Sequence, residues 1–260
     1  MPAEVFSSRE GAVATVTLRN PEKLNAVNAH MWRELARVMR ELEAEEALRC
    51  VVLRGEGENF AAGGDIHEFA TVRDTYERAR IYHDKWVAGA LEAVSSCRHP
   101  TVAAIRGACI GGGLEIALAC DLRIAARGAR FGIPINRLGF AIAHGELRGL
   151  LRIVGPAVAL ELLLEGRILE AEEALAKGLL TRLVDDEALD RDVAACAQRI
   201  AAGAPLAARL HKRLVRRLAD DPARLSETEI RENFSYLESE DYHIGYAAFL
   251  ARSKPEFTGR

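Results

Sequence analysis

The sequence predicts an α/β fold, and three observations predict it. Short runs of β-branched and small residues alternate with single amphipathic helical stretches as far as Gly145. From Glu146 onward strands nearly vanish and helical patterns take over. At 260 residues, 49% of them hydrophobic, the chain can bury a large core in one domain carrying an appendage.

Residues 12–18 alternate β-branched and small side chains and read as a strand, which Asn20-Pro21 ends because proline removes a donor. Asn28 is placed to cap a helix running to Glu45, whose Met31, Leu35, Val38, Met39 and Leu42 share one face. A strand at 50–53 follows, and the pattern is helical over 74–97, with Ile81, Trp86, Leu91 and Val94 among its apolar positions. Strands at 101–105 and 122–126 flank a helix entered through Gly112. Beyond them, helices are expected at 146–154, 156–165, 171–178, 190–202, 205–219 and 226–252, with short extended pieces at 167–169 and 183–184.

Composition excludes several classes. The net charge is −3 with 28% charged residues, so neither nucleic acid nor an anionic membrane is an expected partner. Five cysteines without a metal-ligand spacing argue against a disulfide framework and against a metal site. No apolar run is long enough to span a bilayer, and the first residues lack the pattern of an export signal, so the expected location is cytoplasmic.

Two glycine-rich turns carry the chemistry. In the first, Asn59-Phe60-Ala61-Ala62-Gly63-Gly64-Asp65-Ile66 follows the strand at 50–53. In the second, Gly111-Gly112-Gly113-Leu114-Glu115 opens a helix. The first N–H groups of a helix lack partners and sit at the positive end of its dipole, which suits an anion or a developing oxyanion. Glu115 lies about one turn beyond Gly112 and sets a carboxylate beside it. Taken alone, either turn also reads as tight packing of a helix on a strand. The second turn lacks both the Lys-Ser/Thr of a P-loop and the spacing of a dinucleotide fingerprint.

Together and in this order, Phe60-x-Ala62-Gly63-x-Asp65-Ile66 and Gly107-x-x-x-Gly111-Gly112-Gly113-x-Glu115-Ile116-Ala117-Leu118-x-Cys120-Asp121 resemble the crotonase, or enoyl-CoA hydratase/isomerase, family. The loop Pro21-Glu22-Lys23-Leu24-Asn25-Ala26, the segment Phe131-Gly132-x-Pro134 and the closing stretch from Ala248-Phe249 to Gly259 extend the resemblance from Val13 to Arg260. It implies a superhelix of β-β-α turns over residues 1–200 and a C-terminal helical region, 201–260, that assembles a homotrimer or a dimer of trimers. It also implies an acyl-CoA substrate, coenzyme A entering only as part of that substrate, and no permanently bound cofactor.

By the same resemblance, the amides of Gly64 and Gly112 hold the thioester oxygen, each worth roughly 3 kcal/mol on the scale of other oxyanion holes. Glu115 matches one of the two glutamates with which the family's hydratases handle water. The other falls at Ile135, which neither accepts nor donates a proton, and losing such a group costs about 10²- to 10⁴-fold. His144 and Glu146 are the nearby candidates to replace it; the alternative is that they only start the next helix. Lys23, Leu24, Ala26, Ala62, Gly64, Asp65, Ile66, His67, Phe249 and Arg252 are the expected coenzyme A contacts, with Asp65 also bonding loop amides. The pocket walls are expected from the segment 66–86 and from 140–147. The readings that follow are hydration of an enoyl-CoA, with isomerisation, decarboxylation or thioester hydrolysis on the same scaffold as the alternative, and a weakly active acyl-CoA-binding protein as the non-enzymatic one.

Overall fold

The computed structural model describes residues 2–260. Its strands are β1 (Glu4–Glu10), β2 (Val13–Arg19), β3 (Cys50–Gly55), β4 (Thr101–Ile105), β5 (Ala108–Ile110), β6 (Leu122–Ala126), β7 (Arg130–Gly132), β8 (Leu169–Glu170) and β9 (Arg182–Val184). The helices of the first two-thirds are α1 (Ala29–Ala44), α2 (Phe69–Val72), α3 (Tyr76–Arg80), α4 (Ala88–Ser96), α5 (Gly112–Ala119) and α6 (His144–Glu165). After them come α7 (Ala171–Ala176), α8 (Leu189–Ala201), α9 (Pro205–Asp220), α10 (Glu227–Asn233) and α11 (Glu240–Ala251).

A six-stranded sheet runs in the order β1-β2-β3-β4-β6-β9, antiparallel only between β1 and β2. Both faces of its parallel part are covered, as parallel sheets require. Val51, Leu53, Ala103 and Ile105 face the main core, whereas Cys50, Val52, Val102 and Ala104 face Leu189, Val193 and Ala197 of α8. A second layer contains β5-β7-β8 and is extended by single bridges, Ala61 to Cys109 and Val27 to Gly64. The turns through β4-β5 and β6-β7 therefore send one strand to each layer before α5 and α6 begin.

The expected capping of α1 is present: Asn28 Oδ1 accepts from Met31 N at 2.9 Å, and Met31, Leu35, Val38, Met39 and Leu42 are all buried. Gly155, with a φ of +68°, divides α6 between the two helices expected at 146–154 and 156–165. Three differences have local causes. The stretch 74–97 starts at its Thr75 cap and contains a π-helical turn, Ile81–Val87, which leaves Ile81 exposed and turns Tyr82 inward. The continuous helix expected over 226–252 is interrupted after Asn233 and restarts at Ser239. Ser226 forms a capping box with Glu229, and Ser239 caps Tyr242 N. Strands β1, β5 and β7 are additional, too short or too exposed to alternate visibly. All five cysteines are free and buried. Among the described residues no helix is long and apolar enough to cross a membrane, and no cluster is spaced to hold a metal ion.

Candidate active site

The two glycine turns meet. In each, a glycine with positive φ, Gly63 at +111° and Gly111 at +49°, rotates the peptide that follows it. Gly63 O takes Val27 N and Gly111 N donates to Gly132 O, so both turns stay tied to the second layer. The next amides, of Gly64 and Gly112, donate to no acceptor among the described residues. A Cβ built on Gly112 would stand 3.6 Å from Gly64 N and 2.9 Å from Trp32 Cζ2. A side chain at 112 would press on Trp32, and the two glycine turns abut.

The amides open on a cavity of about 140 Å³ lined by Trp32, Phe69, Tyr82, Ile110, Ile135 and Phe140, with Arg73, His83, Glu115 and Glu146 among its polar walls. Glu115 projects from the first turn of α5 and is buried, and its carboxyl group has no hydrogen-bond partner among the described residues. Burial, reinforced by the charge of Glu146, pushes its pKa well above the ordinary 4.5. Glu146, also buried, is bonded at Oε1 by His83 Nδ1 at 2.5 Å. His83 Nε2 in turn lies 3.0 Å from Arg73 Nη1. Because arginine only donates, Nε2 is the acceptor and Nδ1 carries the hydrogen given to Glu146. Trp32 Nε1 donates to Tyr82 Oη at 3.2 Å and fixes the cavity's aromatic wall.

Of the two candidates on α6, Glu146 faces the cavity, whereas His144 is exposed and outside its lining. Two positions along a helix are separated by about 200° of rotation, so Glu146 pointing inward sends His144 outward. Ile135 lines the same cavity as Glu115 and leaves that wall apolar.

Around the first turn, Lys23 Nζ bonds Asp65 Oδ2 at 2.6 Å, and Asp65 Oδ1 accepts from His67 N at 3.2 Å. Burial works against the Asp65 carboxylate, but Lys23 and His67 hold its pKa below the ordinary value. Ala62 N donates to Leu24 O at 3.0 Å, while Leu24 and Ile66 are exposed beside it. Ala26 and Asp65 are the buried members of the group. Phe249 and Arg252 are not brought to these residues. Phe249 lines a separate cavity between α9 and α11, and Arg252 is the exposed, left-handed residue ending α11. The sequence reading missed Trp32, Arg73, Tyr82 and His83. The segment 66–86 was expected as a wall, but helical spacing alone did not reveal the π-helical offset that turns Tyr82 and His83 inward.

A β-β-α spiral with a helical tail and a cavity between two abutting glycine turns is a crotonase-like fold. The chain belongs to the enoyl-CoA hydratase/isomerase family, whose model matches residues 8–260. It is similar to an enoyl-CoA hydratase/carnithine racemase structure from Magnetospirillum magneticum, with a TM-score of 0.96, 49% identity and coverage of 100% of this chain and 97% of that one. A "Probable enoyl-CoA hydratase" of Rhizobium meliloti is 36% identical over 255 residues, 96% of each chain. A 1,2-epoxyphenylacetyl-CoA isomerase of Escherichia coli is 30% identical over 263 residues, 98% of each. The protein is accordingly an enzyme of a family that acts on CoA thioesters.

Proposed function

We propose that the protein adds water across the double bond of an enoyl-CoA thioester, with Glu115 and Glu146 as its acid and base. The observation that carries this reading is a pair of buried carboxylates in one cavity with unequal surroundings. Glu115 has no partner, and burial together with its neighbour's charge raises its pKa, which suits the part of the acid. Glu146 accepts a hydrogen bond from His83 at one oxygen, which orients the carboxylate and leaves the other oxygen to take a proton from water, the part of the base. The thioester oxygen accepts from Gly64 N–H and Gly112 N–H, which stabilise the enolate-like transition state. Glu146 takes a proton from water as it attacks the β-carbon; Glu115 gives its proton to the α-carbon. The proton then returns from Glu146 to Glu115, so that one water is consumed per turnover. Both carboxylates also border a cavity of about 700 Å³ whose walls include Glu92, Arg148, Arg152 and Asp220, a polar route for that water.

Replacing Glu115 by Gln is expected to lower kcat for crotonyl-CoA hydration by about 10²- to 10⁴-fold, with KM nearly kept. Glu146→Gln is expected to do the same, read as slower loss of the conjugated thioester absorbance. Wild-type-like turnover in the Glu146 variant would sink the pair. A second reading, double-bond isomerisation through the same enolate, draws on Ile135 lying where the resemblance places the hydratase's second carboxylate. It predicts turnover of 3-enoyl thioesters and little hydration.

We further propose that Lys23, Leu24, Ala26, Ala62, Asp65, Ile66 and His67 form the coenzyme A side of the site, and that residues 201–260 mediate self-association into trimers. The uncovered Phe249 and Leu250 support the latter.

A further inference from the structure

Arg73 is an unusual wall for an acyl cavity. It ends α2 and its guanidinium carbon lies 3.9 Å from the ring centroid of Phe69 and 4.2 Å from that of Phe140. The two rings stand at 77° to each other with centroids 6.1 Å apart, so they cover the guanidinium on adjoining sides and leave its other N–H edges as the positions where a partner can bind. Of its five N–H donors, one reaches His83. No carboxylate stands within ion-pair distance of it among the described residues. Burial disfavours its charge, and the more distant Tyr82 and Glu146 only partly offset that. A half-buried cation without a close counter-ion is costly unless a ligand supplies one, and the planar fork matches a carboxylate with two parallel hydrogen bonds.

We infer that the cavity selects CoA thioesters whose acyl group ends in a carboxylate, which Arg73 takes on the N–H edges that Phe69 and Phe140 leave open. The inference deepens the proposed function and rests on the thioester lying at Gly64 and Gly112. Here Arg73 is a specificity residue as well as the group that orients His83. An arginine that served only His83 would affect every acyl group alike.

The test is calorimetric binding of two saturated thioesters, 5-carboxypentanoyl-CoA and hexanoyl-CoA, to the full-length protein and to its Arg73→Gln and Arg73→Lys variants. The wild type is expected to bind the carboxylated thioester about 10- to 100-fold more tightly than its uncharged analogue. Arg73→Gln should bring the ratio of the two Kd values close to one by weakening the carboxylated ligand, and Arg73→Lys should keep part of the preference. Equal affinities in the wild type overturn the inference, even if the Gln variant fails to fold. An unchanged ratio in a folded Gln variant overturns it too. Because binding needs no turnover, failure of this preference is separable from failure of hydration, which the Glu115 and Glu146 variants read.

Discussion

The spiral core and the C-terminal helices are held by different forces. In β3 and β4 nearly every side chain is buried between α8 and the main core, so exclusion of water keeps the layers together. In α9 only Pro205 is buried, and α10 buries nothing. Charge fastens α9 to the core instead. Lys212 Nζ and Arg216 Nη2 bond the two oxygens of Asp121 at 2.8 and 2.6 Å, and Arg209 Nη2 reaches Glu46 O at 3.0 Å. Farther on, Tyr246, Phe249 and Leu250 remain exposed. The tail is thus clamped by polar contacts, chiefly at Asp121, and the apolar side chains of α11 are left uncovered by this chain.

The clamp is the place to break that contrast hardest. Asp121→Asn leaves Lys212, itself 8% exposed, without its counter-ion, at an expected cost of about 3 kcal/mol. Hydrogen exchange should locate the loss in α9 and its neighbours; a uniform loss across β2 to β6 would mean that the two regions are not distinct.

A second probe sharpens the contrast through pH. Burial opposes the charge of Asp121, yet Lys212 and Arg216 outweigh it and hold its pKa below the ordinary 3.8. Its contribution is therefore present above that value and lost as pH falls through the lowered one. Glu115 has the opposite sign. Its contribution is complete below about pH 4.5 and is lost as pH rises through its raised pKa, because the folded state then binds the extra proton. Urea unfolding across pH should lose up to about 1.4 kcal/mol per pH unit on this account, and Glu115→Gln should abolish that slope. An unaltered slope in the variant would assign it elsewhere.

The smallest expected effect belongs to the apolar region. Asn28→Ala removes the bond to Met31 N and should cost about 1 kcal/mol. Unlike the Asp121 variant, it should lower the single denaturation midpoint of the core without selectively loosening α9.

Much of the fold was legible in local pattern. The strands at 101–105 and 122–126, the Asn28 cap and the break between 154 and 156 coincide with the structure, because β-branched runs, a capping side chain and Gly155-Pro156 act on their own backbone. The single helix expected over 226–252 failed for a related reason. Ser239 caps a new helix, and a serine inside a long helical stretch acts on its own backbone without changing the overall helical composition.

The sequence by itself determined the main strands of the large sheet, most of the helices and the two glycine turns, since backbone freedom and hydrophobic periodicity are properties of neighbouring residues. Only tertiary structure decided that Gly64 and Gly112 abut, that Glu146 faces Glu115 while His144 faces out, and that Arg73 and His83 lie behind that carboxylate. His83 and Glu146 are 63 positions apart. Their meeting depends on how the π-helical turn and α6 pack across the cavity, and the direction of a side chain across such a gap is written in no local spacing.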